Sequence, residues 1–178
     1  MDSVGRDERR AQFEGLIAAL MEPLRRFLAR RTDPATAEDA LSETLLVCWR
    51  RLDEVPEQPL PWAYGVARNC LANAERSRRR QDRLVARIAV LDPPRPTGDH
   101  TSPDLSAALE LLRPQDAELL RLWAWEDLTA PEIAQVLGIS VNAATIRLHR
   151  ARERLRAQLE SSGDTGGHDT PAKERRQR

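Results

Sequence analysis

Between Phe13 and Leu159 apolar side chains recur at intervals of three and four residues, and no sustained apolar–polar alternation interrupts them. A spacing near 3.6 puts such side chains on one stripe of a helix, whereas a half-buried strand needs a period of two. The chain is therefore predicted to be all-α. Its 178 residues suffice for one domain or two small ones with modest cores. The periodicity stops in RIAVLDPPRPTGDHTSPD, where five prolines and glycines fall between Asp92 and Pro103. Proline removes a helix hydrogen bond and glycine gains too much freedom on unfolding, so this composition predicts a flexible linker over 87–104. Two small helical domains are expected on either side, over 8–86 and 105–160. The tail over 161–178 has no apolar face to bury and is predicted to be disordered.

In the first segment Phe13, Leu16, Ile17, Leu20, Leu24, Phe27 and Leu28 form one stripe, with a kink expected at Pro23. Thr36, with Asp39 three residues on, is the expected N-cap of a second helix, in which Leu41, Leu45, Cys48, Trp49 and Leu52 share a face. The proline-punctuated loop DEVPEQPLP then leads to a third helix expected to begin near Trp62, with Ala63, Val66, Ala67, Cys70, Leu71 and Ala74 buried. The second segment reads as a four-helix domain. Leu109, Leu111 and Leu112, then Leu119, Leu120, Leu122 and Trp123, supply two helices split near Arg113 and Pro114. Thr129 to Glu132 is a capping box opening a third, whose Ile133, Val136 and Leu137 face inward. Gly138 ends it, because a left-handed residue there costs glycine little, and Ser140 caps the fourth.

Charge excludes a global attraction to nucleic acid or membrane: 28 basic residues balance 28 acidic ones, so any such attraction must be local. Every basic residue except Lys173 is arginine. Cys48 and Cys70 lie far apart in apolar helical patterns and are read as core thiols of a reducing cytoplasm rather than as metal ligands. The start MDSVGRDERR is too charged for a signal peptide, and no apolar run is long enough to span a bilayer, so a soluble cytoplasmic protein is expected. His100, His149 and His168 are scattered, with no nucleophile, carboxylate pair or phosphate loop around them. No catalytic residue, metal, cofactor, membrane or small-molecule substrate is expected.

The segment TAPEIAQVLGISVNAATIRLHRARERL carries the sharpest signal. At about 100° per residue, Ala144, Leu148, Ala151, Leu155 and Leu159 fall in one narrow stripe, which leaves Asn142, Thr145, Ile146 and His149 on the other side beside Arg150. Two capped helices around a glycine turn make a helix-turn-helix, whose second helix enters the major groove with its N-terminal half against base edges. Asn142 then suits adenine, Thr145 a base or phosphate, and Ile146 a thymine methyl. His149 and Arg150 reach the next base or the backbone, Arg152, Arg154 and Arg156 suit phosphate, and Ser140 stands at the helix N-terminus, where free amides also meet a phosphate. The alternative is a surface helix with an incidental exposed Ile146.

A second basic element lies in the first domain. From Arg68 to Arg87 seven arginines face only Glu75 and Asp82, whereas Asp33 to Glu57 holds seven carboxylates against Arg50 and Arg51. On the third helix the side opposite the buried stripe carries Gly65, Asn69, Ala72, Asn73 and Arg76, small and amide side chains that let a nucleic-acid strand lie close while arginines neutralise it. Trp62 and Tyr64 can stack on unpaired bases or pack in the core, and packing is favoured.

The blocks AEDALSETLLVCWRRLDEV, PWAYGVARNCLANAERSRRR and LTAPEIAQVLGISVNAATIRLHRARERL resemble, in this order, regions two and four of bacterial extracytoplasmic-function sigma factors. The resemblance implies a protein that binds core RNA polymerase, directs it to a two-part promoter and helps to open the DNA, with promoter DNA and core polymerase as partners and an anti-sigma factor as an expected further one. It puts Asp39, Glu43, Trp49 and Arg50 on the polymerase-binding helix. It puts the loop from Asp53 to Pro61 at a flipped −10 base, with Trp62, Asn69, Asn73, Arg76, Arg78 and Arg79 on the helix beside it. Thr145, Ile146, His149 and Arg150 face the −35 duplex. Where the family often has Gly-Thr-Val-Lys-Ser, this chain has Asn142-Ala143-Ala144-Thr145-Ile146, so the usual −35 sequence is not carried over. The linker, about 18 residues at roughly 3.3 Å each, spans some 60 Å when extended, enough to separate two DNA contacts by several turns. Two other readings remain at this point: a helix-turn-helix regulator that acts without polymerase core, and a helical adaptor that binds acidic proteins.

Overall fold

The computed structural model describes the backbone of residues 2–86, 108–109 and 111–163, and the side chains of 5–81, 108–109 and 111–160. The expected linker over 87–104, the first residues of the second domain and the tail beyond 163 lie outside the described residues. Every regular element among the described residues is helical, as the periodicity predicts.

The first domain is a three-helix unit. Helix α1, Asp2–Ala29, runs through Pro23 as one helix and buries Leu20, Leu24, Phe27 and Leu28. Helix α2, Pro34–Arg50, starts earlier than expected, and its N-cap is Asp33 rather than Thr36. The Asp33 carboxylate accepts from the Thr36 amide at 3.1 Å and from the Thr36 hydroxyl at 2.9 Å. Pro34 then occupies the first helical position, where its fixed φ fits and its missing amide removes no bond. The bond from the Thr36 amide is the main reason that the Asp33 carboxyl is held down at about 2 against an opposing effect of burial, with the Thr36 hydroxyl and Arg78 adding to it. Helix α3, Pro59–Ala86, follows a 3-10 turn at Leu52–Glu54. It begins before Trp62, because Pro59 and Pro61 sit in the first turn, where no amide is required of them. Ala63, Val66, Ala67, Cys70 and Leu71 are buried as expected, and Cys48 and Cys70 are buried free thiols.

In the second domain Ala108 and Leu109 are helical and buried, and then come α4, Pro114–Ala124, α5, Ala130–Leu137, and α6, Val141–Gly163. Local chemistry sets each boundary. The Glu132 carboxylate accepts from the Thr129 amide at 2.7 Å and completes a capping box. Gly138 adopts φ 64°, ψ 37°, a left-handed geometry that a side chain would strain. The Ser140 hydroxyl accepts from the Ala143 amide at 3.2 Å. The core holds Leu119, Leu120, Leu122, Leu128, Ile133, Val136, Ala144, Leu148 and Ala151. Two residues expected inside are outside: Leu111 is 69 % and Trp123 39 % exposed. Leu111 lies just ahead of the turn that starts α4, and Trp123 turns outward to meet the Arg152 guanidinium, 4.4 Å from its ring. Leu159, on the expected stripe of α6, is also exposed, because the end of that helix runs past the rest of the domain.

The two domains pack on each other. Helix α3 lies against α5, and the buried side chains of both domains join in one apolar cluster. At the seam Tyr64 stacks on Phe27 with centroids 4.8 Å apart, and its hydroxyl meets Glu126. Burial first, then the Glu126 carboxylate, pushes the Tyr64 phenol up to about 12. Because Tyr64 is the single tyrosine of the chain, absorbance at alkaline pH reads it alone. The folded pKa lies above the unfolded one, so the neutral phenol stabilises the fold fully below about pH 10 and that contribution fades as pH rises towards about 12. A midpoint near 10 in the native protein would mean an exposed phenol and a different seam.

Candidate nucleic-acid interface

Helix α6 displays the face that its sequence promised. Ala144, Leu148 and Ala151 are buried against α4 and α5, while Asn142, Thr145, Ile146, His149 and Arg150 are exposed, Ile146 at 43 %. The Thr145 hydroxyl donates to the Val141 carbonyl at 2.9 Å, which leaves its oxygen lone pairs directed outward. His149 Nδ1 lies 3.3 Å from the Glu153 carboxylate, one turn further along the helix. The arginines beyond do not form one phosphate row. Arg154 is bonded to Asp116, which ties α6 to α4, and Arg152 covers Trp123. Arg154 is thus held in a structural contact, with its side chain 47 % exposed.

The basic helix α3 divides in the same way. Asn69, Ala72, Asn73, Arg76 and Arg79 are exposed. Arg76 donates to the Ala72 carbonyl and to Asn73 Oδ1, and Arg79 lies 3.9 Å from Glu75, one turn back. Arg78 instead reaches Asp33 and Thr36 and so locks α3 to the start of α2. Gly65 departs from expectation: its open side faces the Val136 backbone of α5, not a free groove. Of the two aromatics at the helix start, Tyr64 is core, and Trp62 is half-buried with the Arg51 guanidinium 5.6 Å from its ring. Beside them the segment from Asp53 is braced from α1: Arg9 donates to both Asp53 carboxylate oxygens, at 3.0 and 2.7 Å, and to the Trp49 carbonyl at 3.0 Å.

On α2, Asp39, Glu43, Trp49 and Arg50 all reach the surface. Trp49 is covered on one side by Phe13, 5.0 Å away edge to face, and by Arg9. Leu46, unnoticed in the sequence, is 47 % exposed and lies between Glu43 and Arg50 at helical spacing, an apolar residue centred on a charged face. Its signal was an isolated leucine on the polar side of an amphipathic helix. Among the described residues no helix is long and apolar enough to cross a membrane.

Among the described residues every element is helical, and a capped helix-turn-helix in one unit beside a basic helix in another is the architecture of a DNA-binding protein. Residues 16–81 match the family described as Sigma-70 region 2, and residues 103–155 that described as Sigma-70, region 4. The chain is 33 % identical over 161 residues to the RNA polymerase sigma factor CarQ of Myxococcus xanthus, covering 86 % of this chain and 92 % of CarQ. It shares its fold with the sigma factor RpoE of Bartonella quintana in complex with the anti-sigma factor NepR, at TM-score 0.61 and 23 % identity, over 83 % of this chain and 96 % of that one. It is also similar to CnrH in complex with the cytosolic domain of CnrY, at TM-score 0.57 and 25 % identity, over 84 % and 88 %. The chain belongs to the sigma-70 family, in its extracytoplasmic-function group. It is a transcription initiation factor that directs RNA polymerase to promoters.

Proposed function

We propose a division of labour among this chain's own residues in that role. Asn142, Thr145, Ile146, His149 and Arg150 read the −35 duplex, and Ser140 sits where the α6 N-terminus meets a phosphate. Trp62, Asn69, Asn73, Arg76 and Arg79 line the path of the −10 strand, and the segment from Asp53 to Pro61 holds the flipped base. Arg78 and Arg154 act chiefly by fixing the helices that carry these readers, because both are engaged with carboxylates inside their own domains. The observation that carries the reading is the exposure of Asn142, Thr145, Ile146, His149 and Arg150 on α6 while Ala144, Leu148 and Ala151, on the opposite side, are buried. The protein acts in the cytoplasm and is not itself an enzyme. Two of its structural neighbours were solved with an anti-sigma factor or with CnrY, which supports a protein antagonist for this chain as well.

Asp39, Glu43, Trp49 and Arg50 form the polymerase-binding face, with Leu46 at its centre. An apolar side chain ringed by polar ones is the usual form of an interface anchor. Leu46→Asp is expected to weaken binding to core polymerase by at least about 2 kcal/mol, near thirtyfold, with helix content unchanged. Unaltered affinity in a fluorescence titration with core would remove Leu46 from that face. The wider test is transcription in vitro with the purified chain and bacterial core polymerase on genomic fragments. Starts that share two upstream motifs at fixed spacing are expected; duplex binding by the chain alone, without starts, would instead favour a regulator that works without polymerase.

A further inference from the structure

The segment proposed to hold the flipped −10 base has little core of its own. Leu52 and Pro61, at its two ends, are buried, but none of residues 53–60 between them is. A stretch with so few buried contacts takes its shape from its anchors. Within the segment the bonds are short-range: the Glu54 amide donates to the Arg51 carbonyl at 2.9 Å and the Val55 amide to the Leu52 carbonyl at 3.3 Å. The long-range anchor is Arg9 of α1, 44 residues away in sequence. One nitrogen of its guanidinium donates to both Asp53 oxygens, at 3.0 and 2.7 Å, and the other to the Trp49 carbonyl at 3.0 Å. The same guanidinium lies 5.4 Å from the centre of the Trp49 ring, on which Phe13, one turn further along α1, packs edge to face.

Electrostatics explains why a cation is needed there. Asp53 and Glu54 follow closely on the C-terminus of α2, where the helix dipole already presents negative potential and the last carbonyls lack amide partners. Glu54 is met locally by Arg51, at 2.9 and 2.5 Å. That bond lowers the Glu54 carboxyl, and the Asp53 charge beside it acts the other way. Asp53 is met by Arg9. A simple exposed ion pair would be worth little, but a planar fork that takes a carboxylate and a helix-end carbonyl together fixes direction as well as charge.

We infer that Arg9 is a positioning residue for −10 recognition: from α1 it holds Asp53, and with it the start of the segment to Pro61, in the geometry that receives the base. The inference rests on the base-capture reading above. Arg9 is not among the residues assigned to the DNA and acts through Asp53. Helix α1 thereby contributes to promoter choice without a base contact of its own.

The test uses the full chain as wild type, Arg9→Ala and Arg9→Lys, the last of which keeps the charge without the planar fork. Hydrogen–deuterium exchange of the free chain reads the brace: in Arg9→Ala the amides of residues 51–58 are expected to exchange roughly three- to tenfold faster, with α3 unchanged. Holoenzyme at saturating core polymerase then reads its use, in transcription from promoters carrying each base in turn at the −10 and −35 positions. Saturation removes any change in core affinity that reaches Trp49. Arg9→Ala is expected to flatten the preference at one −10 position by roughly three- to tenfold, Arg9→Lys by less, and both should keep the wild-type −35 preference. Unchanged exchange, or an unchanged −10 preference, overturns the inference. So does an equal loss at both elements with a lowered melting temperature, which marks a general loss of structure. Glu57→Ala and Gln58→Ala, within the segment itself, separate the two readings. If they alter the −10 preference and Arg9→Ala does not, the positioning role alone fails; if neither alters it, base capture by this segment fails, and the role of Arg9 with it.

Discussion

Phe27→Ala is expected to lower the unfolding free energy by about 3–5 kcal/mol. Phe27 is 0 % exposed, stacks on Tyr64, and carries the Arg31 guanidinium 3.7 Å from its ring. Truncation therefore removes a full aromatic contact from the core of the first domain, takes the packing from beneath the seam arginine, and leaves a cavity between α1 and α3. Against a total stability of about 5–15 kcal/mol for an ordinary domain, such a loss takes much of the margin. Urea or thermal unfolding followed by circular dichroism checks it, with the midpoint falling by at least about 10 °C. A fall equivalent to less than about 1 kcal/mol would show that the Phe27–Tyr64 stack contributes little to the fold.

The other large effect concerns function and not stability. Each good base contact is worth about 1–3 kcal/mol of discrimination, so the triple variant Asn142→Ala, Ile146→Ala, His149→Ala is expected to reduce promoter-specific initiation by at least two orders of magnitude. All three side chains are exposed, and the buried stripe of α6 is untouched, so the melting temperature should stay close to that of the wild type. Initiation should become insensitive to −35 base changes that matter to the wild type. A loss equal across all −35 sequences, accompanied by a weaker salt dependence, would show instead that this face contacts phosphate. The closely placed His149 and Glu153 couple the last position to its own helix, so the His149 contribution should be the smallest of the three.

Much of this was legible in the sequence, and the reasons differ from element to element. The helices of the second domain could be bounded closely because capping is local: Thr129, Glu132, Gly138 and Ser140 satisfy backbone groups within a few residues of themselves. The face of α6 was equally readable, since a 3.6-residue period determines which side chains share a side once the helix is granted. The start of α2 was misread through Thr36 although the better signal, Asp33 followed by Pro34, stood three residues earlier; the aspartate accepts the amide bond that a threonine one turn into the helix cannot. Leu111 and Trp123 were misplaced because periodicity locates a stripe without telling how far the neighbouring helices extend to cover it.

The chain by itself thus determined its helices, its turn chemistry and which side chains α6 leaves exposed, all of which arise from interactions over a few residues. Only the tertiary structure decided what each arginine does and where the domains rest. Arg78 and Arg154 looked like phosphate ligands and are bound to Asp33 and Asp116, across 45 and 38 residues of sequence. Gly65 looked like room for a nucleic-acid strand and makes room for α5. Arg31 and Glu126 carried no local signal at all, because the meaning of a charge depends on which opposite charge the fold brings within reach and on how much water it leaves between them.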